Sequence, residues 1–305
     1  MTTTDNVAMV LLEDETLRDG LQVESRIFSL DEKLEIFRQL AGAGISRIQI
    51  GSFVNPKRVP QMTGTEELIH AIRAQKANGP LLTALILNDK GLERALLCGI
   101  EHVSMSVSMS NTHSLKNAGK PAAEALLDMA ALISQARGSG LAVRAGLQCS
   151  FGCVYEGAIA EEAVLTATEK LAEAGALEVN LSDTTGMANP LAVESLVRQV
   201  QREQSGLEIS LHLHDTRGLG LANMFAGYQA GVRTFDVCTG GLGGCPFVRG
   251  AAGNVPTEDA LQMFSSMGVE TGIDLKKICA TVGTLENILG RKLPGHMKTV
   301  LDAER

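Results

Sequence analysis

The sequence contains no tryptophan, and aromatic residues make up only 3% of its 305 residues. With so few large rings, the interior has to be built mainly from alanine, valine, isoleucine and leucine. The length suits a single α/β barrel, which runs to about 250 residues, and it is sufficient to bury a large core.

Positive charge is also scarce. The chain has 27 lysine and arginine residues against 35 aspartate and glutamate residues, which gives a formal net charge of −8. Because non-specific binding to nucleic acids depends on basic patches, we expect no nucleic-acid partner. An anionic small ligand stays compatible with this balance, since a few local lysines and arginines can hold one.

The N-terminal stretch "MTTTDNVAMVLLEDETLRDG" lacks a basic segment followed by a long apolar run. We therefore expect no targeting peptide, no membrane span and no membrane partner, and a cytoplasmic protein. The six cysteines show no paired framework of the kind found in small secreted proteins, so we expect them to be reduced. They are Cys98, Cys149, Cys153, Cys238, Cys245 and Cys279.

One local pattern recurs along the chain: a helix-like stretch ends at a glycine, and a short apolar, β-branched run follows. This order is typical of the connection from helix to strand in α/β proteins. Three further apolar runs also predict strands. The recurring pattern covers residues 40–52, 96–107, 138–149, 171–183 and 228–239, and the further strands cover 8–14, 81–87 and 207–215.

The sequence thus predicts eight strands, each followed by a helix-like segment. Such segments include 29–43, where Ser29 and Glu32 form a capping-box start, and 194–206. Alternation of this kind implies parallel strands joined by right-handed crossovers. Eight repeats favour a closed (β/α)₈ TIM barrel, with an open doubly wound sheet as the alternative.

No proline- or serine-rich linker interrupts the pattern, so we expect a single catalytic domain over residues 1–305. The barrel should occupy about 8–268. An extra C-terminal helical segment should follow over about 269–305, with one helix at 274–290.

In a barrel, chemistry belongs at the C-terminal ends of the strands and in the loops that follow. Polar residues occur at several of the predicted strand ends, and a glycine-rich loop at 240–254 follows strand eight. The polar residues are Asp14, Arg18 and Asp19 after strand one, Gln49 and Ser52 at strand two, Asp183 at strand six, and His212 and His214 at strand seven.

His212 and His214 lie two residues apart on a strand, so both side chains share one face. Leu211 and Leu213 suit the helix layer, which directs both imidazoles into the barrel. They could bind a metal or form a hydrogen-bonded pair, and the motif alone does not decide between these. Asp19 at the same barrel end favours the metal, since one Asp and two His leave coordination positions open for catalysis.

"ETLRDG" places Arg18 beside Asp19 directly after strand one. The guanidinium could hold a carbonyl or enolate oxygen, whereas the plainer interpretation is a turn with a surface ion pair. Asp183 could orient a metal ligand or hold a substrate hydroxyl, or it could cap the following helix.

The loop 240–254 has six glycines and carries Cys245. A cysteine in such a loop could donate a proton or act as a thiolate, unless the loop is a plain mobile connection. We expect the other five cysteines to be packing residues. His70, His102, His113 and His296 are expected to be structural or solvated.

Five stretches, in this order, resemble the 3-hydroxy-3-methylglutaryl-CoA lyase family, a metal-dependent group of TIM barrels named for a D-R-E-type first-strand motif. The resemblance spans about residues 9 to 290, and the cysteine-bearing loop is its most specific part. The stretches are "RDGLQ" (18–22), "SFVNPKRVPQM" (52–62), "CSFGCVYEG" (149–157), "LHLHDTRG" (211–218) and "GLGGCPFVRGAAGN" (241–254).

The resemblance implies a divalent metal, Mg²⁺ or Mn²⁺, and no organic cofactor. It assigns the metal to Asp19, His212, His214 and Asn254. It also implies that Arg18 stabilises an enolate oxygen, that Cys245 and His212 (with Asp19 as helper) transfer protons, and that Asp183 lies near the metal. By the same likeness, Arg18, Gln49, Ser52 and Arg144 are expected to bind substrate.

The implied reaction is a retro-Claisen cleavage of an acyl-CoA thioester to acetyl-CoA and a 3-oxo acid, in a protein that is expected to be a homodimer. The alternatives are a condensing acyltransferase of the isopropylmalate or homocitrate synthase type and an acyl-CoA-binding relative with impaired turnover. We expect no C-terminal regulatory domain, and this expectation counts against the condensing enzyme, as does the presence of Cys245.

The chain departs from the family pattern at three places. Gln49 replaces a glutamate at the end of strand two, and Asp14 replaces a glutamate ahead of the arginine. Ser25 and Arg26 follow Glu24, where the family usually has Lys-Asn nearby. The departures leave open a related 3-hydroxy-3-alkylglutaryl-CoA as substrate in place of the six-carbon one.

Overall fold

The computed structural model describes residues 9–75, 79–244 and 253–304. Eight parallel strands close into a barrel in chain order, and β1 pairs with β8 to complete it. This confirms the predicted TIM barrel and excludes the open sheet. The strands are β1 Leu11–Asp14, β2 Arg47–Ser52, β3 Leu81–Leu85, β4 His102–Ser108, β5 Ala142–Gln148, β6 Glu178–Asp183, β7 Glu208–Leu213 and β8 Thr234–Val237.

Helices surround the barrel, and three of them follow β8. The first helix begins with the predicted capping box, since Ser29 accepts from the Glu32 backbone N–H while the Glu32 carboxylate accepts from that of Ser29. The helices are α1 Leu30–Gly42, α2 Thr65–Arg73, α3 Asp89–Leu97, α4 Asn111–Asn117, α5 Ala122–Gly138, α6 Glu161–Glu173, α7 Pro190–Glu203, α8 Gly220–Gln229, α9 Thr257–Ser266, α10 Leu275–Leu289 and α11 Met297–Ala303.

The main apolar core lies between the strands and the helices. Leu211 of β7 packs so closely on α8 that a Cβ added at Gly227 would lie 2.2 Å from Leu211 Cδ1. The side chains of His212 on β7 and of His214 directly after it therefore point into the barrel, as the alternation predicted. No helix in the described parts of the chain is long and apolar enough to cross a membrane.

Charged side chains fill the lower part of the barrel interior, where TIM barrels commonly have branched apolar residues. Arg47 of β2 lies between two buried carboxylates, with its Nε 2.5 Å from Glu13 and its Nη1 2.9 Å from Glu178. We call Glu13, Arg47 and Glu178 the ion-pair layer. Beside it, burial and the charge of Arg47 lower the pKa of His102 to about 4, so this buried ring is neutral.

Candidate active site

The segment that returns from the glycine-rich loop pairs with the end of β7. Asn254 forms an antiparallel bridge with His214, and the Val255 N–H donates to the Leu213 carbonyl over 3.2 Å. The outgoing part of the loop passes Asp19 so closely that only glycine fits. Gly243 has a φ of +96°, and a Cβ there would lie 2.7 Å from Asp19 Oδ2.

This packing brings three predicted metal ligands together. Donor atoms of Asp19, His212 and His214 all lie within 4.8 Å of one another, and the two histidine Nε2 atoms are 3.0 Å apart. Asn254 donates from Nδ2 to Asp19 Oδ2 over 2.7 Å, while its buried Oδ1 has no hydrogen-bond partner among the described residues. An orphaned amide oxygen beside a carboxylate and two imidazoles fits the mixed donor set of a divalent cation.

The protonation of Asp19 and His214 suits a cation as well. Burial alone would raise the pKa of Asp19, but Arg18 and the two histidines hold it at about 2. Burial, together with the charge of His212, lowers the pKa of His214 to about 4. The carboxylate is therefore ionised and the His214 ring is neutral at pH 7, which are the forms that bind metals.

His212 is held by two carboxylates behind it. Its Nδ1 lies 3.1 Å from Asp236 Oδ2 and 3.5 Å from Glu15 Oε2. Burial lowers the pKa of His212, but these two carboxylates outweigh it and raise the pKa overall. Because Nδ1 donates to Asp236, the nitrogen that faces His214 is Nε2, and the ring orientation is fixed in the manner of a metal-ligating histidine.

Arg18 is anchored by three acceptors beside this cluster. Its Nη1 donates to Asp19 Oδ1 over 2.6 Å, its Nη2 to Glu15 and its Nε to the amide oxygen of Gln49. Gln49 is completely buried and in turn donates to Ser104 Oγ over 3.1 Å. Gln49 therefore lies behind Arg18, whose guanidinium lines the cavity.

Arg144 reaches the same group from β5. Its Nη2 donates to Glu15 Oε1 over 2.7 Å, and its Nη1 lies 2.6 Å from Asp236 Oδ1. Burial raises the pKa of Glu15 to about 7 although both arginines oppose this. Among the described residues, the carboxyl groups of the interior outnumber its guanidinium groups, and the raised pKa values of Glu15 and His212 offset part of this difference. The carboxylates are Glu13, Glu15, Asp19, Glu178 and Asp236, and the guanidinium groups are Arg18, Arg47 and Arg144.

Sequence reasoning singled out Asp14 and missed Glu15. Asp14 faces the helix layer, where it accepts hydrogen bonds of 2.9 Å from the hydroxyls of Thr239 and Thr257 and so joins β1 to the segments after β8. Glu15 is in the cavity wall instead. The signal was present, because Glu13 and Glu15 share one face at the period of a strand.

Asp183 and Ser52 lie away from the cavity wall of the described residues. Asp183 Oδ1 accepts the N–H groups of Met187 and Ala188, and burial raises the pKa of Asp183 to about 6. The alternative that Asp183 caps α7 is wrong, because Asn189 does so. Ser52 is buried at the end of β2, and its carbonyl accepts from the Thr65 hydroxyl. Cys245 falls outside the described residues.

The site opens into a cavity of 540 Å³ at the C-terminal end of the barrel. That volume suits a small ligand. His113, which we expected to be structural or solvated, is buried and is part of the cavity wall. Other wall residues include Val54, Leu85, Leu87, Ser104, Ser106, Gln148, Asn180 and Ser182.

A family model described as HMGL-like matches residues 9–284. The chain belongs to the HMGL-like family. It is 38% identical over 293 residues to an (R)-citramalyl-CoA lyase of Chloroflexus aurantiacus, with 93% of this chain and 92% of that protein covered. It is also 38% identical to a hydroxymethylglutaryl-CoA lyase of Bacillus subtilis, with 92% and 93% covered.

A solved structure of similar fold and sequence has ligands bound. It is an HMG-CoA lyase from Acinetobacter baumannii in complex with coenzyme A and 3-methylmalate, 36% identical, with a TM-score of 0.91 over 98% of this chain and 96% of that one. These findings confirm the predicted family and the prediction of an oxo-acid lyase that resembles hydroxymethylglutaryl-CoA lyase. This HMGL-like lyase has a buried Asp/His cluster where the family resemblance expects a divalent metal.

Proposed function

We propose that this HMGL-like lyase cleaves 3-hydroxy-3-methylglutaryl-CoA to acetyl-CoA and acetoacetate with the help of a divalent cation. The observation that carries the proposal is the convergence of Asp19, His212, His214 and the orphaned Asn254 Oδ1 beside the guanidinium of Arg18. The reaction is a retro-Claisen cleavage, in which the C2–C3 bond breaks to give a thioester enolate and a 3-oxo acid.

Asp19, His212, His214 and Asn254 would hold the cation. We propose Mg²⁺ or Mn²⁺ from the family resemblance, and the oxygens of Asp19 and Asn254 suit these ions. When bound, a divalent cation supplies positive charge that lowers the pKa of a nearby substrate hydroxyl and favours its alkoxide.

His212 has two proposed roles, as ligand and as base, that compete for one atom. Its Nδ1 is occupied by Asp236, which leaves Nε2 for either role. We therefore propose that Asp236 orients the ring. Nε2 would bind the cation and, at another stage of the reaction, accept the proton of the substrate hydroxyl, with Asp19 assisting the proton transfer.

Arg18 is proposed to stabilise the enolate oxygen, because it is a fixed cation in the cavity wall. Cys245 is proposed to deliver the proton that converts the enolate to acetyl-CoA while the glycine-rich loop excludes water. The proton that His212 takes from the substrate hydroxyl then restores the Cys245 thiol, so that no net proton is gained or lost. Arg144 lines the cavity, and we keep it as a substrate-binding residue. We propose that Gln49 acts on substrate through Arg18. Asp183 is proposed to order the loop that follows β6.

A second candidate substrate is citramalyl-CoA, which would give acetyl-CoA and pyruvate. It shares the same C(OH)(CH₃)–CH₂–CO–S unit, and its carboxylate arm is one methylene shorter. The observation in its favour is the identity of 38% to an (R)-citramalyl-CoA lyase over nearly the whole of both chains.

The deciding experiment is a panel of 3-hydroxyacyl-CoA thioesters, incubated with and without Mg²⁺ or Mn²⁺ and analysed by mass spectrometry. Release of acetyl-CoA, stopped by EDTA and restored by added metal, is the expected result. Condensation of acetyl-CoA onto a 2-oxo acid without any cleavage would overturn the lyase, and inactivity on every thioester would favour an impaired acyl-CoA-binding relative. The homodimer proposed from the resemblance is tested by light scattering.

A further inference from the structure

We propose that Glu15 and Gln49 together position Arg18, and that a carboxylate side chain is tolerated at position 15 or at position 49 but not at both. Glu15 is the positioning residue, and Gln49 is its neutral complement. The inference deepens the proposed function, on which its activity readout rests.

Arg18 is anchored at every nitrogen of its guanidinium group. Each of its three guanidinium nitrogens donates to a different side chain: Nη1 to Asp19, Nη2 to Glu15 and Nε to Gln49. Only 14% of the side chain is exposed, so these bonds act in a mostly dry environment and set the plane of the guanidinium. The remaining N–H groups are the ones that can meet a substrate in the cavity.

Glu15 contacts two arginines at once. One carboxylate oxygen accepts from Arg18 and the other accepts from Arg144 over 2.7 Å. Glu15 thereby fixes the distance between two cavity-lining guanidinium groups that come from opposite sides of the barrel, one from the turn after β1 and one from β5.

The side chain of Gln49 is uncharged. Its amide oxygen faces Arg18, and its amide nitrogen donates to Ser104, which also accepts from Arg144 Nε over 3.2 Å. A carboxylate at position 49 would be the third one around a single guanidinium, all of them buried. Buried like charges that exceed their counter-charges are costly, so Glu15 and a glutamate at 49 should be incompatible.

The test is a double-mutant cycle with Glu15→Gln, Gln49→Glu and the combined variant, each assayed with the best substrate of the thioester panel. Glu15→Gln should lower kcat about 100-fold with little change in KM, because a misplaced Arg18 acts mainly on the transition state. Gln49→Glu alone should lower kcat about tenfold or more. The combined variant should recover most of the loss, because one carboxylate is restored beside Arg18.

A readout without turnover separates this inference from the proposed function. In thermal unfolding, Gln49→Glu should lower the Tm when Glu15 is present and raise it in the Glu15→Gln background. This reversal of sign depends only on the charges around Arg18. If the wild type cleaves no thioester, the proposed function fails, and the unfolding cycle still tests the pair.

Glu13→Gln is the matched control. Glu13 makes the same kind of contact with Arg144, at 3.0 Å, and lies one step deeper on the same strand face, but its ion pairs are with Arg47 and Arg144. Gln49→Glu should not rescue Glu13→Gln.

Three outcomes would overturn the pairing: additive losses in the combined variant, rescue of Glu13→Gln by Gln49→Glu, or higher activity of Gln49→Glu alone. The activity of Gln49→Glu alone is measured without a Glu15 variant, so the proposal is still tested if Glu15→Gln does not fold.

Discussion

The barrel interior contains two charged regions with different chemistry. In the ion-pair layer, Arg47 meets Glu178 through two contacts of 2.9 and 3.1 Å, and Glu13 at 2.5 Å. At the mouth, the two histidine Nε2 atoms face each other, and Asn254 Oδ1 has no hydrogen-bond partner in the described parts of the chain. Both regions are buried, but of the two only the mouth has, among the described residues, a group of His and Asp side chains that could hold a metal ion.

The difference shows how one set of residue types serves two purposes. Charges that are matched within the protein join the strands of the barrel. Charges and lone pairs that the protein leaves unmatched bind something from outside, because a buried polar atom without a partner costs free energy until a ligand supplies one. Four predictions test this contrast, in order of decreasing effect.

The largest effect is expected at the mouth. His214→Ala removes one proposed metal ligand and should lower kcat/KM by about 10³-fold or more, since the cation's charge on the substrate is lost. Isothermal titration with Mn²⁺ should show a parallel loss of affinity. Full activity with unchanged Mn²⁺ binding would mean that the cluster is a hydrogen-bonded pair and not a metal site.

Cys245→Ser should separate proton transfer from metal binding. We expect kcat to fall about 10²- to 10⁴-fold, because a serine hydroxyl is a far weaker acid than a thiol. Mn²⁺ affinity should stay as in the wild type. An equal loss of turnover and of affinity would assign the loop cysteine to the metal site instead.

The ion-pair layer should respond in stability and not in chemistry. Glu178→Gln leaves Arg47 without its two-contact partner and should lower the free energy of unfolding by about 3–5 kcal/mol, measured with urea. The kcat of the folded fraction should change far less than in His214→Ala. Glu169→Gln on an exposed part of α6 is the matched control and should change stability by less than about 0.5 kcal/mol. A large loss of kcat with unchanged stability in Glu178→Gln would erase the contrast.

A smaller, pH-dependent effect is expected at Glu258, a buried carboxyl that accepts from the Gly240 backbone N–H. Burial raises its pKa to about 8 from an ordinary value of 4.5, with Asp259 and Asp14 adding to the rise. Between these pH values the folded state keeps a proton that the unfolded state loses. Stability should therefore fall as pH rises, by about 1.4 kcal/mol per unit from this group.

Glu258→Gln cannot titrate and should lack this contribution. Other buried carboxyls with raised pKa values, such as Glu15 and Asp183, titrate in both proteins, so the difference between wild type and variant isolates Glu258. Urea unfolding at pH 5.5 and 7.5 measures it. An identical pH slope in the two proteins would show that Glu258 is ionised throughout.

The fold and much of the site were predictable because they depend on local patterns. Glycines that end helices marked the strands that follow, and the Leu211/His212 alternation gave the face of each side chain. The capping box at Ser29 likewise depends on residues three apart. The orphaned oxygen of Asn254 could not be found in this way, because it depends on how a returning segment pairs with β7.

Two neighbouring residues at the end of β1, Asp14 and Glu15, show where the sequence stops being informative. The sequence by itself determined a parallel eight-stranded barrel. It also determined that Asp19, His212 and His214 lie at one end of that barrel, since both results follow from short-range periodicity. Only the tertiary structure decided that Asp14 joins β1 to the segments after β8 while Glu15 holds two arginines. The reason is distance along the chain: Glu15 and Arg144 are 129 residues apart, and barrel closure alone brings their charges into contact.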